Sequence, residues 1–210
     1  MATVEKADIL TFVNDKQRQN YEIADILDEI NLILKDLSKA AKWPDLYRED
    51  VTADRSELTE GDDAISFPTG LRILDFIVVN DGSNDGRPLT EISFRDWLKL
   101  REDETSSSYA EPKYFARRGK KWFPHPIPDG AYTGKYWYWR HHPVTEEETE
   151  DILFGDEFDQ CIKYGVCAEV AKTHGRTEYI NIWEPRYMAE KAKLTPEADR
   201  DITLAKYSDL

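Results

Sequence analysis

The spacing of apolar residues changes period twice along this chain, and any fold it adopts must accommodate both changes. Between Tyr21 and Ala41 they fall at Ile23, Ile26, Leu27, Ile30, Ile33, Leu34 and Leu37, the i, i+3, i+4, i+7 rhythm of a helix with one buried stripe. Trp43-Pro44 ends that helix, because proline disfavours the helical conformation in the residue before it. A shorter helix at about 4–13 precedes it, separated by the polar stretch Asn14 to Asn20. From Leu58 the rhythm is that of strands: Ala64 to Pro68, Leu71 to Val79 and Pro88 to Ser93, with a helical turn around Trp97. The helical period returns at about 155–174 and 176–194. Phe158, Ile162, Gly165, Ala168 and Ala171 make a stripe of partly small residues that suits close packing, and Gly175 stops the first of these helices.

The middle of the chain differs in composition from its flanks. Tyr109 to His142 holds 10 aromatic residues and seven Lys or Arg, against two acids, Glu111 and Asp129. Tyr114 to Phe123 reads as a hairpin turning at Arg118-Gly119, and Pro124, Pro126 and Pro128 force an extended connection. Tyr132 to His141 then reads as a strand whose Tyr136-Trp137-Tyr138-Trp139 run points large rings to both faces. One face can enter a core, and the other is expected to meet a partner through Trp137 and Trp139. The charge inverts immediately afterwards, with eight acids and no base between Glu146 and Asp159.

These patterns predict an α+β, mainly α chain: a helical bundle with a small antiparallel sheet or hairpin element and an extended C-terminal arm. We expect one domain over 1–194, with the β-rich insertion at about 58–142, and the arm at 195–210. A chain of 210 residues can bury a real core without disulfides or a structural metal. Its formal charge of −14 repels phosphate and anionic lipid, so its whole surface should not grip nucleic acid. The longest clean apolar run, Phe76 to Val79, is too short to cross a membrane. With Glu5, Lys6 and Asp8 near the start, no signal-peptide core is expected. Cys161 and Cys167 match no zinc spacing and read as reduced, buried thiols of a chain made in cytoplasm.

No catalytic constellation emerges. Asp81-Gly82-Ser83-Asn84-Asp85-Gly86 resembles the opening of a calcium loop, but its twelfth position is Ile92 and its flanks read as strands, so a hairpin turn is the expectation. His125, His141, His142 and His174 have no chelating spacing; His141 and His142, adjacent on a strand, would point apart. Clusters such as Glu146, Glu147 and Glu148 are what solvated faces look like. No cofactor, no metal and no enzyme activity is expected. Lys113, Arg117, Arg118, Lys120 and Lys121 interleave with Tyr114, Phe115, Trp122 and Phe123, which allows a single-strand nucleic-acid platform. The surrounding acid favours instead a cationic hairpin with half its rings in the core. In a head-to-tail ring, Arg117, Arg118, Lys120 and Lys121 would face the acidic segment, including Glu146, Glu147 and Glu148, of the next copy.

The order of these segments resembles the head-to-tail adaptor (connector) proteins of tailed bacteriophages. The resemblance covers roughly Thr3 to Leu194. It rests on Trp43-Pro44, Gly61 with Phe67-Pro68, Pro112-x-Tyr114, the Gly119 turn, Phe123-Pro-His-Pro-Ile-Pro-Asp129, the aromatic strand Tyr136 to Trp139, and Pro143 to Thr145 opening the acidic stretch. It implies a structural virion protein in a ring of roughly twelve copies at the head-tail junction. Its partners would be itself, the portal protein and tail proteins, with DNA passing through unbound by sequence and no membrane. It also implies portal contact through the C-terminal segment, where Leu204, Tyr207 and Leu210 are the apolar anchors. A tail or stopper component of the virion is the neighbouring expectation.

Overall fold

The computed structural model describes residues 4–82, 86–102, 104–146 and 150–208, with the backbone alone for Ser106 and 196–208. In chain order the first elements are α1 (Lys6–Gln17), α2 (Ile23–Ala40), β1 (Tyr47–Glu49), β2 (Ser56–Leu58), β3 (Ile65–Ser66) and β4 (Leu71–Asn80). Next come β5 (Arg87–Pro88), β6 (Thr90–Ile92), α3 (Phe94–Glu102), β7 (Tyr114–Arg118), β8 (Lys121–His125) and β9 (Tyr132–Arg140). Two helices close the chain, α4 (Asp159–Thr173) and α5 (Thr177–Ser208). These elements form two compact units, a helical one from Met1–Leu46 with His141–Leu210 and a β one from Tyr47–Arg140.

In the helical unit the α2 stripe is buried, with Ile26, Ile30 and Leu37 fully enclosed. The α2 start carries a capping box in which Asp25 accepts the Glu22 backbone N–H at 2.8 Å, satisfying a donor that a helix end leaves open. Trp43 folds back beyond the helix end. Its indole N–H donates to the Leu37 carbonyl at 2.6 Å, and its ring meets Phe158 edge-on at 4.9 Å. Gly165 on α4 faces two other helices at close range: a Cβ there would lie 2.9 Å from Ile33 Cδ1 on α2 and 3.0 Å from Tyr187 Cδ2 on α5. The small stripe read from the sequence thus lets three helices meet.

The β unit has two sheets around one core. β9 is the hub of the larger sheet, in the order β1-β9-β4-β5, with β2 also paired to β9. Every pairing in that sheet is antiparallel. The smaller sheet runs β3-β8-β7-β6, its β6–β7 pair parallel. Alternation along β9 sends Tyr136 and Tyr138 into the core shared with Phe115 and Trp122 of the smaller sheet. Trp122 donates its indole N–H to the Tyr136 hydroxyl at 2.9 Å, which donates in turn to Ser56 Oγ at 2.7 Å. That chain of donors satisfies buried polar groups that would otherwise be costly.

This architecture corrects the expected fold class. A mainly helical bundle with a small sheet or hairpin is overturned by nine strands in two sheets among the described residues. The missed strands β1 and β2 are three residues each, too short to show a period, and they exist because β9 offers them an edge. The extended arm is corrected as well, since α5 runs as one helix to Ser208, through Pro185 and Pro196. Helical backbone needs no apolar anchors to form, and Glu197, Ala198, Arg200, Leu204, Ala205 and Lys206 include strong helix formers.

Candidate interaction surfaces

The cationic hairpin is β7 and β8, which turn at Gly119, where φ is +62°, a conformation glycine adopts freely. Its four basic residues are exposed, but two are engaged within the unit. Arg117 forms a two-pronged pair with Glu91, 2.7 Å and 3.0 Å, on the surface. The Arg118 guanidinium lies 4.9 Å over the Phe94 ring, a cation–π contact. Lys120 and Lys121 point outward from the turn and the start of β8. Of the interleaved rings, Phe115 and Trp122 are core residues, Phe123 packs against Phe94 and Trp97, and Tyr114 is exposed. A base-stacking platform needs successive exposed rings, so this hairpin presents charge with one ring.

The outward face of β9 is partly covered by its own sheet. Trp137 is half-buried and stacks on Phe76 of β4 at 4.6 Å and 17°. Trp139 is only 4% exposed, with the Tyr47 ring 4.6 Å away. The expected partner role of Trp139 is therefore corrected: the unforeseen strand β1 supplies its cover. Tyrosine hydroxyls of the β unit are likewise engaged. Tyr138 donates to Asp54 at 2.9 Å and Tyr132 to Asp129 at 2.6 Å. Burial first, then these carboxylates, pushes each phenol up to about 12.

On the helical unit, Glu146 is exposed, whereas Glu147 and Glu148 lie outside the described residues. Leu210 also lies outside them, as do the side chains of Leu204 and Tyr207. His142 is buried and carries the segment that leads into the acidic stretch. Its backbone N–H donates to Ser38 Oγ at 2.9 Å, and its Nε2 accepts the Leu153 N–H at 2.9 Å. The ring proton therefore sits on Nδ1, which donates to the Pro143 carbonyl at 2.7 Å. Thr145 is tied to α2 by both amide atoms of Asn31. His142→Phe is expected to lose about 1–3 kcal/mol, because it leaves the Leu153 donor without its acceptor; denaturant titration reads it.

Asp36 on α2 accepts from Tyr187 and, at 2.6 Å, from Lys191, both on α5. Burial alone would raise its pKa, but the hydrogen bonds from Lys191 and Tyr187 outweigh it and hold the carboxyl below its ordinary 3.8. A lowered folded value means that the contribution is complete above 3.8 and is lost as pH falls below it. Asp36→Asn should therefore weaken the protein at neutral pH, and the difference from the parent should shrink as pH falls below 3.8. Denaturation midpoints across that range test this. Cys161 and Cys167 are buried, and burial is the main cause that pushes both thiols up to about 12. They are protonated packing groups.

The exposed apolar residues of the helical unit were only partly visible in sequence. A cleft of 540 Å³ lies between α2, α4 and the segment from His141 to Val144. Leu32 and Val144 line it while 51% and 70% exposed. Leu32 falls off the α2 stripe, which was the available signal. On α5, Ile182 is 45% and Met188 57% exposed. Met188 directly follows the buried Tyr187, yet it lies on the far side of the helix from the buried Trp183. Among the described residues no three His, Cys, Asp or Glu are grouped to hold a metal ion, and no helix is long and apolar enough to cross a membrane. No protein-family model matches the chain, and no curated protein matches it.

Proposed function

We propose that this chain is a structural ring subunit of the head-to-tail junction of a tailed bacteriophage. It extends the DNA channel from the portal and offers a docking surface to tail proteins. The observation that carries a partner-binding role is the exposure of large apolar side chains on the helical unit. Leu32, Val144, Ile182 and Met188 are each 45% or more exposed, although that unit fills its own core without them. Patches of that kind mark places where another surface docks. The assignment to the adaptor class rests on the run from Pro112 through Asp129 to Trp139 and its flanking helices. The net charge of −14 suits a wall along which duplex DNA slides, since like charge prevents tight phosphate contacts. In this reading the chain is made in the host cytoplasm, resides in the virion and catalyses nothing.

The test is the mass of the purified protein, alone and mixed with a candidate portal ring, by light scattering after gel filtration. The expected result is a stoichiometric ring of subunits on the portal. A small oligomer that ignores the portal overturns the assignment.

A further inference from the structure

Between Ile182 and Ala192, helix α5 carries a face without charge opposite its buried side. Trp183 and Tyr187 point into the core. About half a turn away from them, Ile182, Pro185, Met188, Ala189 and Ala192 are all exposed. At 3.6 residues per turn these positions form one continuous ridge. Small residues at Ala189 and Ala192 let another backbone come close, while Ile182 and Met188 supply the large side chains. Along one flank stands Arg186. It lies 4.9 Å over its own Trp183 ring and, among the described residues, has no ion-pair partner.

The complementary surface is on the same unit. The α2–α4 cleft, 540 Å³ in volume, offers Leu32 and Val144 as apolar lining. That space is enough for two large aliphatic side chains. Its rim is acidic: Asp28, Glu29 and Glu169 against Lys35. Glu29 already accepts from Thr173 at 2.8 Å, and Glu169 pairs with Lys172 at 2.9 Å. Asp28 has no ion-pair partner among the described residues.

We infer that the α5 ridge of one copy docks in the α2–α4 cleft of the next, with Arg186 set against Asp28. Ridge and cleft share no residue, so one copy can use both at once. That is the requirement of a heterologous, head-to-tail contact, as opposed to a self-matching one. Two-fold ridge-to-ridge pairing would bring Arg186 near a second Arg186 and leave the acidic cleft empty. The inference rests on the ring reading above and names the contact that builds the ring. It also moves the contact from the cationic hairpin, where Arg117 is already paired with Glu91, to the helical unit.

The experiment is disulfide trapping in the full chain under mild oxidation, at a concentration or on a portal ring where the parent assembles. The buried native thiols do not interfere. A chain carrying both Ile182→Cys and Leu32→Cys should give a ladder of covalent multimers, whereas either substitution alone should give monomer. In a second arm, R186E and D28R should each weaken assembly at least tenfold. Assembly should return both in the double variant and when the two single variants are mixed, because an alternating ring then sets opposite charges against each other at every contact. Dimer from Ile182→Cys alone means ridge-to-ridge pairing and overturns the proposal. A parent ring that forms while no ladder appears overturns this contact and leaves the ring reading standing. If R186E and D28R leave the ring intact but abolish portal capture, the ridge belongs to the portal and the proposal fails. A parent that forms no ring under any condition overturns the ring reading itself, and this contact with it.

Discussion

Trp122→Ala is expected to lower the stability of the β unit by about 3–5 kcal/mol, the range for truncating a buried aromatic. The indole is fully enclosed and lies edge-on to Phe115 at 6.3 Å and to Tyr136 at 6.5 Å. It is the side chain of the smaller sheet that hydrogen-bonds to the hub strand of the larger one. Truncation therefore removes the ring's apolar contacts, opens a cavity between two sheets and breaks the Trp122–Tyr136–Ser56 chain. Tyr136→Phe separates these effects, because it keeps the ring and removes the hydroxyl. It should cost about 1–3 kcal/mol by leaving the Trp122 N–H unsatisfied in the core. Urea titration followed by circular dichroism reads both. A Trp122→Ala loss no larger than that of Tyr136→Phe would mean that the sheets can collapse onto the vacancy.

The second large effect is at Gly165, where helix propensity and packing predict opposite signs. Alanine is better than glycine in a helix interior by about 1 kcal/mol, so on propensity alone Gly165→Ala should stabilise α4. The added Cβ, however, would lie 2.9 Å from Ile33 Cδ1 and 3.0 Å from both Ile33 Cγ2 and the Tyr187 ring, tighter than nine in ten real Cβ contacts. Turning Ile33 Cδ1 aside leaves the branched Cγ2 and the ring in place, and the ring is fixed by its hydrogen bond to Asp36. We expect Gly165→Ala to destabilise by about 1–3 kcal/mol, the usual cost of overpacking, and Gly165→Val by more. Combining Gly165→Ala with Ile33→Ala should recover part of the loss. A double-mutant cycle from thermal melts measures that coupling, and no coupling would show that the clash is relieved elsewhere.

The helices of the bundle and the strands of the hairpin were legible because their signals are local. Seven apolar residues at helical spacing define α2, and Gly119 between two aromatic-basic runs defines the β7–β8 turn. The larger sheet was not legible, because its organisation is set by pairing at a distance. Tyr47, for instance, is 92 positions from its register partner Trp139, and nothing in Tyr47-Arg48-Glu49 alternates. The same cause hid the fate of Trp139, whose cover comes from that unseen strand. The α5 ridge was not legible for a different reason. Met188 follows directly after the buried Tyr187, and on a helix one residue is a step of about 100°, enough to turn it toward solvent. The cleft was hidden because its lining comes from three separate segments, and only Leu32 broke a pattern.

The helical unit is assembled from the two ends of the chain with the whole β unit between them. Gln17 reaches the Cys167 carbonyl across 150 positions, and Asp36 reaches Tyr187 across 151. During synthesis, the β unit has all its residues once Arg140 has emerged, while α2 still lacks the α4 surface that buries its stripe. Domains generally fold as units in the order they are made, and closing so long a loop is slow. The newborn chain therefore passes through a stage with a finished β unit and a naked amphipathic helix. At high expression that interval exposes the protein to aggregation, and slower translation or a chaperone that shields α2 should raise the yield of folded subunit.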